Sequence, residues 1–289
     1  MFKDAYEIAK QYTHPLIVTI RFFDKTVEGG LGSFVILNDD GWMLTAAHNF
    51  GAAFAFNNHQ KEIADYNDKI HKINSNKQLS IGKRKALLRA IKPNKKWVTN
   101  FTILLSGKPI KIEEHYIYGK HDIALFRVNK SLIKGQKIFP KIIDPSNIKP
   151  GTSLCKLGFP FVEFKPTFNE TTNLFELPSN LLPLPLFPIE GIYTRNLQTN
   201  DDEGGINAKY LETSSPGLKG QSGGPIFDME GDIYAIQSKN VTLPLGFTGS
   251  VKIKGKTIEE NQFLNVGIGV HPETLTYFLN KHKIKFVIK

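Results

Sequence analysis

Short apolar or alternating runs punctuate the chain: Leu16–Phe23, Ser33–Leu37, Trp42–Ala46, Phe101–Leu105, Ile123–Val128, Leu154–Leu157, Ile233–Gln237 and Val266–Val270. They are rich in Val, Ile, Phe and Thr and end at Gly, Asn or Asp, the pattern of short buried or half-buried strands. Asn38-Asp39-Asp40-Gly41 and Asp228-Met229-Glu230-Gly231 each separate two such runs. Both predict hairpin turns, in which glycine supplies the positive φ. Many short strands joined by turns predict a β sandwich or barrel.

Three segments break this rhythm. Ala5–Tyr12 predicts one or two helical turns ahead of the first strand. Between Asn57 and Pro93, Ile63, Tyr66, Ile70 and Ile73 recur at three- and four-residue intervals, and a second helical piece, Lys83–Ile91, stops before Pro93, which cannot continue a helix. Pro160–Ile189, with Leu-Leu-Pro-Leu-Pro-Leu-Phe-Pro at 181–188, predicts a long loop or extended arm instead of a strand or helix.

Composition narrows the class. In 289 residues, 40% are hydrophobic and 22% charged, enough for a packed core and against wholesale disorder. No apolar run approaches the roughly 20 residues of a membrane span, and the first thirty residues lack the pattern of a secretory leader. The single Cys155 can form neither an internal disulfide nor a cysteine metal site and reads as a small buried residue. Together these features suit a reducing, cytoplasmic setting. The eight histidines show no ligand spacing, so neither a metal nor a cofactor is expected. The net charge is +10, which permits a polyanionic partner.

Three short motifs carry chemistry. Thr45-Ala46-Ala47-His48 ends a hairpin, His121-Asp122-Ile123-Ala124-Leu125 opens a buried strand, and Gly220-Gln221-Ser222-Gly223-Gly224-Pro225 frames a serine with glycines. Taken singly, His48 reads as structural and Asp122 as a turn acid. Together they supply a hydroxyl, a base to take its proton and an acid to orient that base, as acyl transfer requires. Glycines around Ser222 let the Gly220 and Ser222 backbone N–H groups turn toward a developing oxyanion.

In these motifs and in their order, the sequence resembles the trypsin-like (chymotrypsin-fold) serine peptidases. The likeness extends to Lys149-Pro150-Gly151-Thr152, Leu157-Gly158-Phe159-Pro160 and Gly231-Asp232-Ile233-Tyr234-Ala235-Ile236. Asn265-Val266-Gly267-Ile268-Gly269-Val270, with Pro272 opening a short helix, resembles the end of bacterial HtrA-like protease domains, here without a following PDZ-sized region. The resemblance implies an all-β chain of two six-stranded antiparallel barrels, with a helical insertion between the histidine and the aspartate. Residues 1–138 would hold an N-terminal segment, the first barrel and the insertion at about 57–93. Residues 139–289 would hold the second barrel, the arm at about 160–189 and a C-terminal helix. By the same resemblance His48, Asp122 and Ser222 are catalytic in a serine endopeptidase, and Gly220 and Ser222 form the oxyanion hole. Pro216, Gln237, Ser238 and Lys239 would line the substrate cleft. Ser238 either supports the acid, as its position in the family implies, or is a solvated strand-end serine.

Departures from the family bear on regulation and specificity. Where animal trypsins carry the aspartate that pairs with a new N-terminus, this chain has the uncharged Gln221, so tryptic zymogen activation is not expected. Val27-Glu28-Gly29-Gly30 reads as a loop before Ser33–Leu37. Ser215–Leu218 and Gln237–Lys239 contain no acid to favour Lys or Arg substrates and no histidine at 237, so a small or apolar preference is expected. Residues 51–97 hold eleven bases against three acids, eight of the net +10. This basic face, residues 61–96, is either a docking surface for an acidic protein or nucleic acid or a solvated helical surface. An alternative to the enzyme is therefore a protease-fold interaction module, inactive or activated by such a partner. The Leu181–Pro188 arm covers the cleft, binds a partner or packs on the second barrel.

Overall fold

A computed structural model describes residues 1–203, 205–253 and 256–289. In chain order the elements are α1 (Lys3–Tyr12), β1 (Thr13–Phe22), β2 (Val27–Ile36), β3 (Trp42–Thr45), α2 (Gly51–Ser75), α3 (Ile81–Ala90), β4 (Val98–Leu105), β5 (Lys108–Pro109), β6 (Ile112–Tyr118) and β7 (Ile123–Val128). There follow β8 (Lys141–Ile142), β9 (Ser153–Gly158), β10 (Thr167–Asn169), β11 (Leu174–Glu176), β12 (Phe187–Glu203), β13 (Ile206–Thr213), β14 (Pro225–Phe227), β15 (Ile233–Ile253), β16 (Lys256–Val270), α4 (Pro272–Lys281) and β17 (Val287–Ile288).

The first sheet runs β5-β4-β1-β2-β3-β7-β6 and curls around a core that includes Leu16, Phe34, Met43, Ile103 and Phe126. Its six longer strands are those expected of a barrel; the two-residue β5 merely extends β4 at the edge. The second sheet runs β14-β9-β12-β13-β16-β15 and then pairs β14 with β15 again, which closes six strands into a ring. The short β8 and β17 continue it in parallel beyond β15. The two-barrel architecture is therefore the one the sequence implies. Both expected hairpin turns form: Gly41 and Gly231 have φ of 85° and 83°, and Asn38 and Asp228 accept backbone N–H groups two and four residues on, as Asx turns do.

Helix α1 comes first in the chain yet packs on the second barrel. Ala5, Ala9 and Tyr12 join Phe227 and Ile233 in one core, and the Tyr12 hydroxyl donates to the Gly231 carbonyl at 2.7 Å. The helical insertion is longer at its start than the periodicity suggested. A 3-10 turn at Ala47–Phe50 runs directly into α2, because Gly51–Phe56 continue the helix before the apolar stripe begins. Ile63, Tyr66, Ile70 and Ile73 are its half-buried face. Tyr66 packs edge-on against Phe23 and Trp97, and His59 Nδ1 accepts the Val98 N–H at 2.9 Å.

Two local expectations are corrected. Val27–Gly30 is not a loop; it belongs to β2, where Gly29 and Gly30 pair with Thr19 and Val18 of β1. Backbone pairing needs no side chain, and the bare Gly29 makes room for Phe164, whose ring would lie 2.5 Å from a Cβ there. Nor is the 160–189 arm wholly irregular: β10 and β11 form a hairpin whose Phe168 and Phe175 meet edge to face, and Arg21 anchors it through Glu170. The middle of the arm packs on the first barrel, while its last residues, Phe187–Ile189, open β12 and pair with β9 of the second. Leu181 is buried with Ile17 and Leu104, a burial worth roughly 2 kcal/mol.

Candidate active site

His48 sits on the 3-10 turn that leaves β3, with Ala46 and Ala47 buried beneath it. Small side chains there let the turn lie against the sheet and project the imidazole outward, where it is 50% exposed. Asp122 closes the turn between β6 and β7 at φ 55°, a left-handed conformation that Asp adopts more readily than bulkier residues. Its carboxylate accepts the His48 backbone N–H at 2.9 Å and faces His48 Nδ1 with both oxygens at 3.0 Å. The Ser238 hydroxyl donates to Asp122 Oδ2 at 2.5 Å, so Ser238, 4% exposed, is a partner of the acid and not a solvated strand end.

This network fixes the electrostatics. The hydrogen bond that His48 donates to Asp122, and then the charge of Asp122, hold His48 above the ordinary histidine value against the effect of burial. Burial alone would raise the Asp122 carboxyl, but the hydrogen bonds and charge of His48 and the Ser238 hydroxyl outweigh it and hold it low. A carboxylate at Nδ1 selects the tautomer with its proton there, leaving Nε2 as the acceptor.

Ser222 lies on a loop that the neighbouring chain clamps from both sides. Gly220 and Gly223 have φ of 101° and 85°, which L side chains rarely tolerate. The Ser33 hydroxyl donates to the Gly220 carbonyl at 2.7 Å. The Ser222 carbonyl accepts the Ser33 N–H at 2.8 Å and Asn49 Nδ2 at 3.0 Å. Gly223 N–H donates to the Gln237 carbonyl at 2.8 Å, and Gln237 N–H returns to the Gly224 carbonyl at 2.9 Å. Gln221, fully buried, accepts the Leu218 N–H and donates to the Phe187 carbonyl. An uncharged amide thus braces the loop from within the protein.

His48, Asp122 and Ser238 are joined directly. Ser222 is brought beside them through Asn49, the residue after His48. Among the described residues no hydrogen bond links the Ser222 hydroxyl to His48, and ligand-free catalytic sites often leave that contact long. Among the same residues the N–H groups of Gly220 and Ser222 have no intramolecular acceptor, so both remain donors for an incoming group. Of the other expected cleft positions, Gln237 is buried and pairs with the backbone of Gly223 and Gly224. Pro216 is half-buried between Ser215 and Gly217. The exposed Lys239 directs its ammonium over the Tyr210 ring, 5.3 Å from its centre. A groove of about 540 Å³ adjoins Gly220, walled by Gly29–Leu31 of β2, Phe161–Lys165 of the arm, and Leu218 and Lys219.

Sequence reasoning missed Ser33, Asn49 and Lys156. Asn49, directly after the histidine, was the legible one. Ser33 and Lys156 act through contacts 187 and 59 residues away, for which local pattern holds no signal. Cys155 is buried, and burial pushes its thiol up to about 12, which leaves it unreactive.

A family model, the trypsin-like peptidase domain, matches residues 31–236, a span that includes His48, Asp122 and Ser222. Among solved structures, the active form of the Rv3671c protease from M. tuberculosis aligns over 99% of this chain and 86% of its own, at 11% identity and a TM-score of 0.48. No curated protein matches the sequence. No described helix is long and apolar enough to cross a membrane.

Proposed function

The chain belongs to the trypsin-like peptidase family, and from that premise we propose that it is a serine endopeptidase acting through an acyl-enzyme on Ser222. The observation that carries the proposal is the hydrogen-bonded chain His48–Asp122–Ser238 beside a glycine-framed serine with two unengaged N–H donors.

In the proposed reaction Ser222 Oγ bonds to the scissile carbonyl carbon while its proton passes to His48 Nε2. Asp122 holds Nδ1 and stabilises the imidazolium. The tetrahedral oxyanion takes hydrogen bonds from the Gly220 and Ser222 N–H groups. Collapse breaks the C–N bond, and His48 gives its proton to the departing amine. Water then attacks the ester with His48 as base, releasing the new carboxyl end and restoring the serine hydroxyl. The substrate is a polypeptide, and the single, buried Cys155 suits work in a reducing, cytoplasmic compartment.

A fluorophosphonate probe tests this reading, with intact mass as the readout. Wild type takes one label at Ser222, the Ser222→Ala variant takes none, and peptide turnover in the variant falls by about 10⁶-fold. A folded wild type that neither labels nor cleaves overturns the reading and leaves the interaction module as the better account.

A further inference from the structure

Asp122 belongs to the first barrel, yet the turn that carries it is held largely by the second. Gly119–Asp122 joins β6 to β7 and is closed by the Asp122 N–H, which donates to the Gly119 carbonyl at 3.2 Å. Gly119 and Lys120 are exposed, and a Cβ on Gly119 would meet nothing within 4 Å. The turn ends on Asp122 at φ 55°, a conformation that persists only where the surroundings over-determine it.

Those surroundings reach three successive residues, Lys120, His121 and Asp122, from the other half of the molecule. The Lys120 carbonyl accepts the Tyr210 hydroxyl at 3.1 Å. The fully buried His121 lays its ring 5.4 Å from that of Phe278 on α4, and Phe278 in turn packs 3.8 Å from the Tyr118 ring at the end of β6. Asp122 accepts the Ser238 hydroxyl at 2.5 Å. Ser238 is the extra residue of a bulge in β15: Gln237 pairs with Gly269 and Lys239 with Ile268, which leaves Ser238 outside the ladder. A bulge re-aims the side chain it carries, here toward Asp122.

Two of these supports meet at Tyr210, which is buried on β13. Val270 of β16 pairs with Tyr210 on one side and with Ile236 of β15 on the other, so the tyrosine lies two strands from the bulge. Its hydroxyl holds Lys120, two residues before Asp122. Its ring lies under the ammonium of Lys239, the residue after Ser238. One side chain thus touches the flank of the acid and the flank of the acid's hydroxyl partner.

Resting on the serine-peptidase reading, we infer that Tyr210 is a positioning residue, which ties Lys120 to β13 and so sets the Asp122 carboxylate within reach of His48 and Ser238 together. That carboxylate bridges its donors at 2.5 to 3.0 Å, a tighter tolerance than an exposed turn keeps unaided. Without the phenol hydroxyl the Lys120 carbonyl turns to water and the turn loosens. The hold that keeps His48 above its ordinary value then weakens. Misplacement by about 1 Å costs a reaction up to about 100-fold. A turn still held at His121 and Ser238 loses less.

The test variant is Tyr210→Phe, which removes the hydroxyl and keeps the ring under Lys239. Its kcat on a quenched peptide falls about tenfold while KM stays within about twofold of wild type. The acid limb of kcat and the His48 titration followed by NMR both move to lower pH. Phe278→Leu, which loosens the hold on His121, moves kcat and both pH readouts the same way by less. Thermal unfolding confirms that the variants are folded, and neither adds or removes a charge. A residue that only stabilises the fold would lower the unfolding temperature and leave kcat, the acid limb and the His48 titration as in wild type; that result overturns the inference. A raised KM at constant kcat also overturns it, because Tyr210 would then act on binding. If wild-type Ser222 takes no fluorophosphonate and no peptide is cleaved, the serine-peptidase reading falls separately. The His48 titration needs no turnover, and an unmoved midpoint in Tyr210→Phe overturns the positioning role in that case too.

Discussion

The loop Gly220–Gly224 and the helices α2 and α3 are opposite extremes of packing in this chain. In the loop, neighbouring segments close in on Gly220, Gly223 and Gly224. A Cβ at Gly223 would overlap the Thr45 hydroxyl and the Ser33 carbonyl, and one at Gly220 would lie 2.9 Å from the Phe159 carbonyl carbon. In α2 and α3 no residue is fully buried, and a Cβ on Gly51 or Gly82 meets nothing within 4 Å. Where packing is dense, the identity of a residue is set by its neighbours; where it is open, only the apolar stripe is set. Catalytic geometry belongs to the first kind of region, and tolerance of change to the second.

After Ser222→Ala, the largest expected effect comes from Asp122, whose carboxylate accepts from three donors. Asp122→Asn keeps the shape but turns an NH₂ group toward one of them and favours the wrong imidazole tautomer, so kcat/KM falls by about 10⁴-fold. The pH profile gives the sign of the coupling. Only neutral His48 accepts the serine proton, so activity rises with pH through the His48 pKa, which Asp122 holds above the ordinary 6.5. Without the carboxylate that pKa drops, and the acid limb of the Asn variant moves to lower pH while its plateau collapses. A limb that stays in place in the folded variant would show that Asp122 does not act on His48.

Glycine replacements draw the contrast between the regions most directly. Gly223→Ala faces a positive φ and clashes with the Thr45 hydroxyl, the Ser33 carbonyl and the Ala46 nitrogen, and is expected to destabilise by about 3 kcal/mol or more. Gly82→Ala, inside α3 with open space around it, is expected to stabilise by about 0.5–1 kcal/mol. Urea midpoints measured on both variants decide this, and effects of the same sign would remove the distinction.

That contrast also explains what the sequence reveals. Hairpin turns at Asn38–Gly41 and Asp228–Gly231, the stripe from Ile63 to Ile73, and the glycine frame of Ser222 are local rules written in consecutive residues. Val27–Gly30 reads as a loop because a glycine pair signals one locally, whereas it pairs with β1 across a hairpin and seats Phe164, 135 residues further on. The three readings of the arm stay open in the sequence for the same reason: Leu181 meets Ile17 and Leu104 only once the sheet exists. The Ser238 contact with Asp122 was weighed only because the family carries a residue there. Asn240 and Lys156, whose side chains reach Gly217 and Ser215, lie on strands whose alternation says nothing about what their tips touch.

The smallest expected effect is at the basic face. Lys77, Lys83 and Lys85 are exposed, and apart from backbone capping at Ser80 their side chains hold nothing in place. Arg84 differs: its guanidinium donates to the Asn76 carbonyl at 2.9 Å and ties α3 to the end of α2, so it is left intact. The triple variant Lys77→Gln, Lys83→Gln, Lys85→Gln should shift stability by no more than about 0.5 kcal/mol, as exposed substitutions do. Its kcat/KM on a neutral peptide should stay within about twofold of wild type, since exposed charges beyond a Debye length of ~8 Å are largely screened at physiological salt. Titration with a duplex oligonucleotide reads the other use of the same surface. Binding that weakens steeply with salt and disappears in the triple variant would assign the face to a polyanion. Equal, salt-insensitive behaviour of both proteins leaves it a solvated surface whose sequence is free to vary.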